Sequence, residues 1–304
     1  MMARSGKLAV LLLLILAGYA SAHSPDAITC SSCKAWNEPQ QPFQVYGNTY
    51  YVGTRELSAI LVTSPKGHVL LDAALPPSAP LTEQNIKTLG SKLEDVKLIL
   101  NSHAHFDHAG GIAALQRKSG AVVAASAHGA KVLMAGQIGK DDPQYEEPAF
   151  SYPRIAAVEP VRDGEVLKAG TIDITAHMTP GHTPGSTTWT WKSCEANRCL
   201  DVVYADSLTA VSLGSYRYTG GNGAPDVAGL FGQSIDEVGA LKCDVLLTTH
   251  PGASEILERQ AARKPANNTF IDAGACRALA AKARANLAKR ISQERSDRAA
   301  GAPN

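Results

Sequence analysis

Charge of one sign is what this chain has least of. Its 304 residues carry 29 Lys and Arg against 28 Asp and Glu, a formal net charge of +1. A nucleic-acid or acidic-membrane partner calls for a concentrated basic surface, and the near-zero balance gives no support for one. Heptads, internal repeats and low-complexity tracts are absent too, which removes coiled coils and solenoids from consideration. The apolar run Leu8 to Gly18 is too short to span a bilayer comfortably, so a stable membrane anchor is not expected. No cysteine stands just after that run, so a lipid-anchored form is not suggested. The segment Gly185-Ser186-Thr187 lacks the nucleophile-elbow pattern, and no Ser-x-x-Lys stands in a setting that suits a serine enzyme.

What is present begins with a targeting segment. Arg4 and Lys7 precede the apolar run, and Ala20-Ser21-Ala22 reads as a small-residue cleavage site. Residues 1–22 are therefore expected to be a signal peptide and residues 23–304 a single exported domain starting near His23. Six cysteines, an even number, agree with an oxidising compartment. Cys194 and Cys199 flank a short polar loop that a disulfide would pin. A bridge from Cys243 to Cys276 would staple a late helix to the sheet, contributing roughly 4 kcal/mol in the loop-entropy model. Cys30 and Cys33 are left as a local structural bridge or a mobile thiol pair.

One stretch organises the rest: Ser102-His103-Ala104-His105-Phe106-Asp107-His108-Ala109-Gly110-Gly111. Side chains two apart on an extended backbone point the same way, so His103 and His105 can reach one metal ion. Asp107 and His108 can turn toward a second. Imidazole suits zinc, and a carboxylate is an acceptable further ligand. A solvated loop that happens to be rich in histidine is the plain alternative. Three of only nine histidines falling here, behind a buried-strand pattern at Val96 to Leu100, weigh against it. More ligands are needed, and His182, in the turn-rich Thr179 to Gly185, and His250, before Pro251-Gly252, each follow a strand pattern. The six residues make one cluster of three histidines and one of Asp, His and His, with positions open to water.

The remaining pattern reads as α/β. A hairpin is expected around Gly47-Asn48, with strands at Ala59–Val62, Val69–Leu71, Val96–Leu100, Val122–Ala125, Ala156–Val158, Ile172–Ala176, Thr187–Trp191, Val202–Tyr204 and Val245–Thr248. Helices are expected at Leu81–Leu89, from Ile112, and at Ala127–Met134, Val227–Leu241, Ile256–Ala262 and Cys276–Ile291. Gly136 to Pro153 has no period and reads as a loop near the site. Strands alternating with helices in both halves suggest two sheets face to face with helices outside, the site lying between the halves.

The His-x-His-x-Asp-His run, with His182 and His250 at these separations, resembles the metallo-β-lactamase superfamily over roughly residues 40–290. Within it the chain is similar to subclass B3. His103 stands first in the motif, Tyr204-Ala205-Asp206-Ser207-Leu208-Thr209 has Ser where other subclasses carry a cysteine ligand, and Thr249 to Ser254 resembles the last ligand loop. The spacings of Cys243/Cys276 and Cys194/Cys199 also fit; Cys30 and Cys33 lie outside that pattern. The resemblance implies an αβ/βα four-layer sandwich and two Zn²⁺ per chain, one on His103, His105 and His182 and one on Asp107, His108 and His250. It implies hydrolysis of the β-lactam amide by a metal-bound hydroxide, with Asp107 catalytic, Ser207 and Thr209 contacting the substrate carboxylate or a metal-bound water, and Asp206 orienting a histidine ligand. A β-lactam, carbapenems among them, would be the small-molecule partner, the periplasm the location and a monomer the working form. The closest rivals are a glyoxalase II-type thioesterase and a lactonase of the same superfamily, in which Asp206 would be sought as a bridging ligand. A non-catalytic metal-storage protein would instead need filled coordination shells.

Overall fold

The computed structural model describes residues 30–300 apart from 148, 222–223 and 265; the expected signal peptide and cleavage site lie outside the described residues. Strands β1 (Phe43–Tyr46), β2 (Thr49–Tyr51), β3 (Ile60–Val62), β4 (His68–Leu71), β5 (Val96–Leu100), β6 (Val122–Ser126) and β7 (Glu159–Val161) pair in sequence order as one sheet. The first four are antiparallel and the pairs from β4 to β7 are parallel. Strands β8 (Val166–Ala169), β9 (Ile172–Met178), β10 (Thr187–Glu195) and β11 (Arg198–Ala205) form an antiparallel meander. A small hairpin, β12 (Thr219–Gly221) and β13 (Ala224–Asp226), stands apart, and β14 (Val245–Thr248) completes the second sheet parallel to β11.

The helices are α1 (Cys33–Trp36), α2 (Ala79–Thr88), α3 (Phe106–Ala109), α4 (Ile112–Ser119), α5 (Ala127–Ala135), α6 (Ala228–Ala240), α7 (Ile256–Ala262) and α8 (Ala275–Ala299). None in the described residues is long and apolar enough to cross a membrane.

Strand alternation sorts the core into layers. Ile60, Val62, Val69, Leu71, Leu98 and Leu100 face Ile174, Trp189, Trp191, Val202, Tyr204, Val245 and Leu247 between the sheets. Their neighbours Leu61, Leu70, Ile99 and Val123 point outward onto Ile86, Ile112, Leu115 and Leu133 of the helices. On the other side Val203, Ala205 and Leu246 pack on Phe231, Ile235 and Val238 of α6 and Ala280, Ala283 and Leu287 of α8. Strands covered on both faces need both side-chain sets apolar, which is why they read as continuous runs rather than alternating ones. The architecture is the expected αβ/βα sandwich.

Two expectations need correction. The strand placed at Ala156–Val158 starts at Glu159, because Ile155 and Val158 are drawn into the helix layer and pairing with Ala124 begins only there. The second half does not alternate strand with helix. Its four strands β8 to β11 run as hairpins, and only β14 is reached through a helix.

All three cysteine pairs are closed: Cys30–Cys33, Cys194–Cys199 across the β10–β11 hairpin, and Cys243–Cys276 between the start of β14 and α8. The far end of α8 is fixed by Glu294. This side chain is buried and accepts bonds from the Tyr218 and Thr219 amides at 3.1 and 2.9 Å and from Arg290 Nε at 2.7 Å. Burial alone would raise its pKa, but those donors hold it below the carboxylate's usual 4.5. A depressed folded pKa stabilises above the unfolded value and is lost as pH falls through the folded one. Denaturant titrations from pH 7 to 3 should therefore show stability falling below about pH 4.5, by an amount that Glu294→Gln reduces.

Candidate metal centre

The site is built at the ends of β5, β9, β11 and β14, where four loops converge between the sheets. The first loop is tied down by Asp72, just past β4, whose backbone has the left-handed φ of 56°. Its buried carboxylate accepts from Ser102 N at 2.8 Å, Ser102 Oγ at 2.6 Å, Asn101 Nδ2 at 2.9 Å and Tyr204 Oη at 2.8 Å. One side chain thus joins the motif loop to the second sheet. The glycines that end the motif are there for close approach. A Cβ on Gly110 would lie 2.3 Å from Pro76 Cδ, and one on Gly111 2.3 Å from the Ala73 carbonyl oxygen.

The six predicted ligands converge. Imidazole centroids of His103, His105 and His182 lie 4.7 to 5.1 Å apart, and one donor atom from each lies within 4.8 Å of the others. His103, Asp107 and His108 make a second buried group by the same measure. His250 sits at its outer side, its Nε2 3.4 Å from Asp107 Oδ2 and its ring 4.8 Å from that of His108. His250 is more exposed than the rest and falls in neither compact group.

Each imidazole of the three-histidine group is held from behind. His103 Nδ1 pairs with Asp206 Oδ1 at 2.6 Å. His182 Nδ1 donates to the carbonyl of Thr209 at 3.0 Å, with the Thr209 hydroxyl at 3.1 Å. His105 Nε2 lies 3.1 Å from both carboxylate oxygens of Asp142. Ser207 Oγ is bonded to Thr249 Oγ1 at 2.9 Å. The two hydroxyls expected to meet substrate therefore line the cavity but already have partners within the protein.

The electrostatics fit a cation. Burial and neighbouring imidazoles push His103 well below the usual histidine range and His182 down to about 3, so both are neutral at pH 7 with a lone pair to give. Burial would raise Asp107, but His108 and His250 hold it ionised. Burial would lower His108, but Asp107, Asp72 and Asp206 raise it. The carboxylates around the second group thus give it surroundings negative enough to take a metal ion. His103 Nε2 and His108 Nδ1 are buried without hydrogen-bond partners, and His108 Nε2 meets only the Asp107 carboxylate, at 3.3 Å. Buried polar atoms are almost always satisfied, and imidazole nitrogens left open beside a carboxylate are the donor set zinc takes. The residues fit the metal.

Above this floor is a cavity of about 360 Å³, inside the range of small-molecule sites. Phe106, Ile138, Phe150, Tyr152, Val211 and Leu213 give it apolar walls, and Trp36 of α1 stands at one side with its ring 5.7 Å from His250. Sequence reasoning missed Asp142, Gln144, whose Nε2 lies 3.3 Å from His182 Nε2, and Trp36. The first two lie in the aperiodic Gly136–Pro153 loop, where the acidic pair Asp141-Asp142 before Pro143 was the sole signal; Trp36 lies in an arm set apart by its Cys-x-x-Cys.

Comparison with known proteins gives the same answer as the geometry. Residues 52–250 match the family described as the metallo-beta-lactamase superfamily. Among solved structures, a subclass B3 metallo-beta-lactamase from a soil metagenome library, MEM-A1, is 49% identical, with 86% of this chain and 99% of that one covered and a TM-score of 0.83. The Rm3 metallo-beta-lactamase is 48% identical over 88% of this chain and 100% of its own, TM-score 0.85. SMB-1, solved with mercaptoacetic acid, is 46% identical over 85% and 99%, TM-score 0.80. With its fold, its converging histidines and these relatives together, the chain belongs to the metallo-beta-lactamase superfamily and stands with its subclass B3 members.

Proposed function

We propose that this protein hydrolyses the amide bond of β-lactams with two zinc ions, one on His103, His105 and His182 and one on Asp107, His108 and His250. The observation that carries this reading is the set of partnerless buried imidazole nitrogens at the floor of a substrate-sized cavity. When bound, zinc supplies Lewis acidity and lowers the pKa of water from 15.7 to about 7. The protein's part is to hold the ring. The apolar walls exclude bulk water, and Asp107, ionised between His108 and His250, orients the water that adds across the C–N bond. Thr209 and Asp206 keep His182 and His103 from rotating. Activity extends in this reading to carbapenems. The three disulfides support export to an oxidising compartment, the periplasm.

The thioesterase and lactonase rivals need Asp206 between the two clusters. It stands behind His103 instead and belongs to neither compact group. The test is hydrolysis of a chromogenic cephalosporin with metal analysis of the same sample. Two zinc ions per chain and activity abolished by chelator are expected; one ion at full activity would remove the second site.

Asp142 gives a further check on the metal assignment. A carboxylate that fixes a ligand imidazole typically contributes 10- to 100-fold in metal affinity. Asp142→Asn should weaken zinc binding by roughly that factor in a competition titration against a chromophoric chelator, without changing the fold.

A further inference from the structure

His250 is the one candidate ligand that is not buried. Its side chain is 38% exposed, against 9% for Asp107 and 1% for His108 beside it. A carboxylate backs His103 and another backs His105, but His250 is backed by a main-chain carbonyl: its Nδ1 donates to the Glu56 oxygen at 3.3 Å. That bond fixes the tautomer and leaves Nε2, the nitrogen facing Asp107, with its lone pair for a metal ion. The aim of His250 is therefore only as well defined as the position of Glu56.

Glu56 is exposed and sits in a tight turn between β2 and β3. The turn is closed by the Thr54 amide on the Leu57 carbonyl at 3.0 Å, and the Ser58 amide ties it to the Thr249 carbonyl at 2.9 Å. Its outer side is carried by the N-terminal arm, residues 30–38. The Thr54 hydroxyl donates to the Trp36 carbonyl at 2.6 Å, and the Arg55 amide to the Glu38 carbonyl at 2.9 Å. Cys33 and Trp36 pack on the buried Leu57 and Leu75, and the Trp36 ring lies 5.7 Å from the His250 ring. The arm thus reaches His250 twice, through the Trp36 ring and through the turn that carries Glu56. Within the arm, α1 has four residues, too few to hold a helical turn by hydrogen bonds alone. The Cys30–Cys33 bridge closes that turn covalently. Unlike Cys243–Cys276 it joins no distant segments; what it shapes is the one turn that presents Trp36.

We propose that the arm of residues 30–38, closed by the Cys30–Cys33 bridge, positions His250 and so sets the affinity of the second metal ion. This rests on the two-zinc reading above and deepens it: the ion on Asp107, His108 and His250 depends on the arm, and the ion on the three histidines does not. Trp36 is a positioning residue in this account, and the bridge acts through it.

The experiment titrates zinc into the metal-free wild type, Cys30→Ser/Cys33→Ser, Trp36→Ala and Trp36→Phe in competition with a chromophoric chelator. His250→Ala, which removes the ligand itself, identifies which binding step belongs to the second ion. Cys194→Ser/Cys199→Ser opens the bridge at the opposite end of the β10–β11 hairpin from the site and controls for general destabilisation. Cys30→Ser/Cys33→Ser and Trp36→Ala should weaken the second ion by about tenfold or more, as loss of a group that orients a ligand does, and leave the first unchanged. Trp36→Phe should recover most of the loss, and the hairpin control should bind both ions as the wild type does. Equal weakening of both ions would show that the arm serves general stability alone, and an unchanged second ion in the folded variants would equally overturn the proposal. If opening the Cys30–Cys33 bridge unfolds the chain, the two Trp36 variants decide. A wild type that binds a single zinc ion would remove the two-zinc reading and this inference with it; two ions bound alike by wild type and arm variants would remove the inference alone.

Discussion

Asp107→Ala should lower kcat/KM for a β-lactam by roughly 10³-fold or more, about 4 kcal/mol of transition-state stabilisation. The size follows from where the carboxylate sits. It is buried, its Oδ2 lies 3.3 Å from His108 Nε2 and 3.4 Å from His250 Nε2, and it is the only carboxylate in either compact donor group. Removing it takes the negative charge from the second group and leaves neutral or cationic imidazoles facing one another, which repels a metal ion. The fold should survive, because α3 is a single turn and the Asp107 side chain bonds only to the histidines. Near-wild-type turnover by a well-folded Asp107→Ala protein would show that this group takes no part in the reaction. Asp107→Asn separates the two contributions: it keeps the shape and removes the charge, and should lose nearly as much activity.

Asp72→Ala is the substitution expected to cost the most stability. It strips the acceptor from four donors at once, the Ser102 amide and hydroxyl, the Asn101 amide and the Tyr204 hydroxyl, in a position with no access to water. Leaving a single buried donor unsatisfied costs about 1–3 kcal/mol. Asn101 retains a bond to the His103 carbonyl at 2.7 Å, so the sum is less than four full penalties, and roughly 3–5 kcal/mol is expected. Alanine also tolerates the left-handed backbone at this position poorly, which adds about 1 kcal/mol. Asp72→Asn, which keeps an acceptor oxygen and accepts that φ, should lose about half as much. Chemical denaturation of the metal-free proteins measures both. A loss under about 1 kcal/mol for the alanine variant would mean that the Ser102 loop is held by something other than Asp72.

The candidate metal-binding residues stood out because they are close together in sequence. His103, His105, Asp107 and His108 lie in one stretch after β5, and His182 and His250 follow β9, an alternating strand, and β14, an apolar one. The layers were legible for the same reason: runs such as Val69–Leu71 and Val245–Leu247 are buried on both faces and carry no polar side chain. What pattern could not show is which side chain meets which across the fold. Asp142 reaches His105 from a loop without period, 37 residues away in sequence. Asp72 meets Ser102 and Tyr204 from 30 and 132 residues away. The misplaced strand at Ala156–Val158 has a physical cause as well. Its apolar residues are real core residues, but they belong to the helix layer, and apolarity does not reveal which layer a residue joins.

The decisive measurement is hydrolysis of a carbapenem and of a glyoxalase II-type thioester by the purified protein, with zinc and after treatment with EDTA. The structure leads us to expect the lactam ring to open, the reaction to stop with chelator and return with zinc, and the thioester to remain essentially intact. Thioester cleavage without any lactam opening would contradict this, keeping the metal centre but assigning it to the rival chemistry and requiring Asp206 to leave His103 and bridge the two metals.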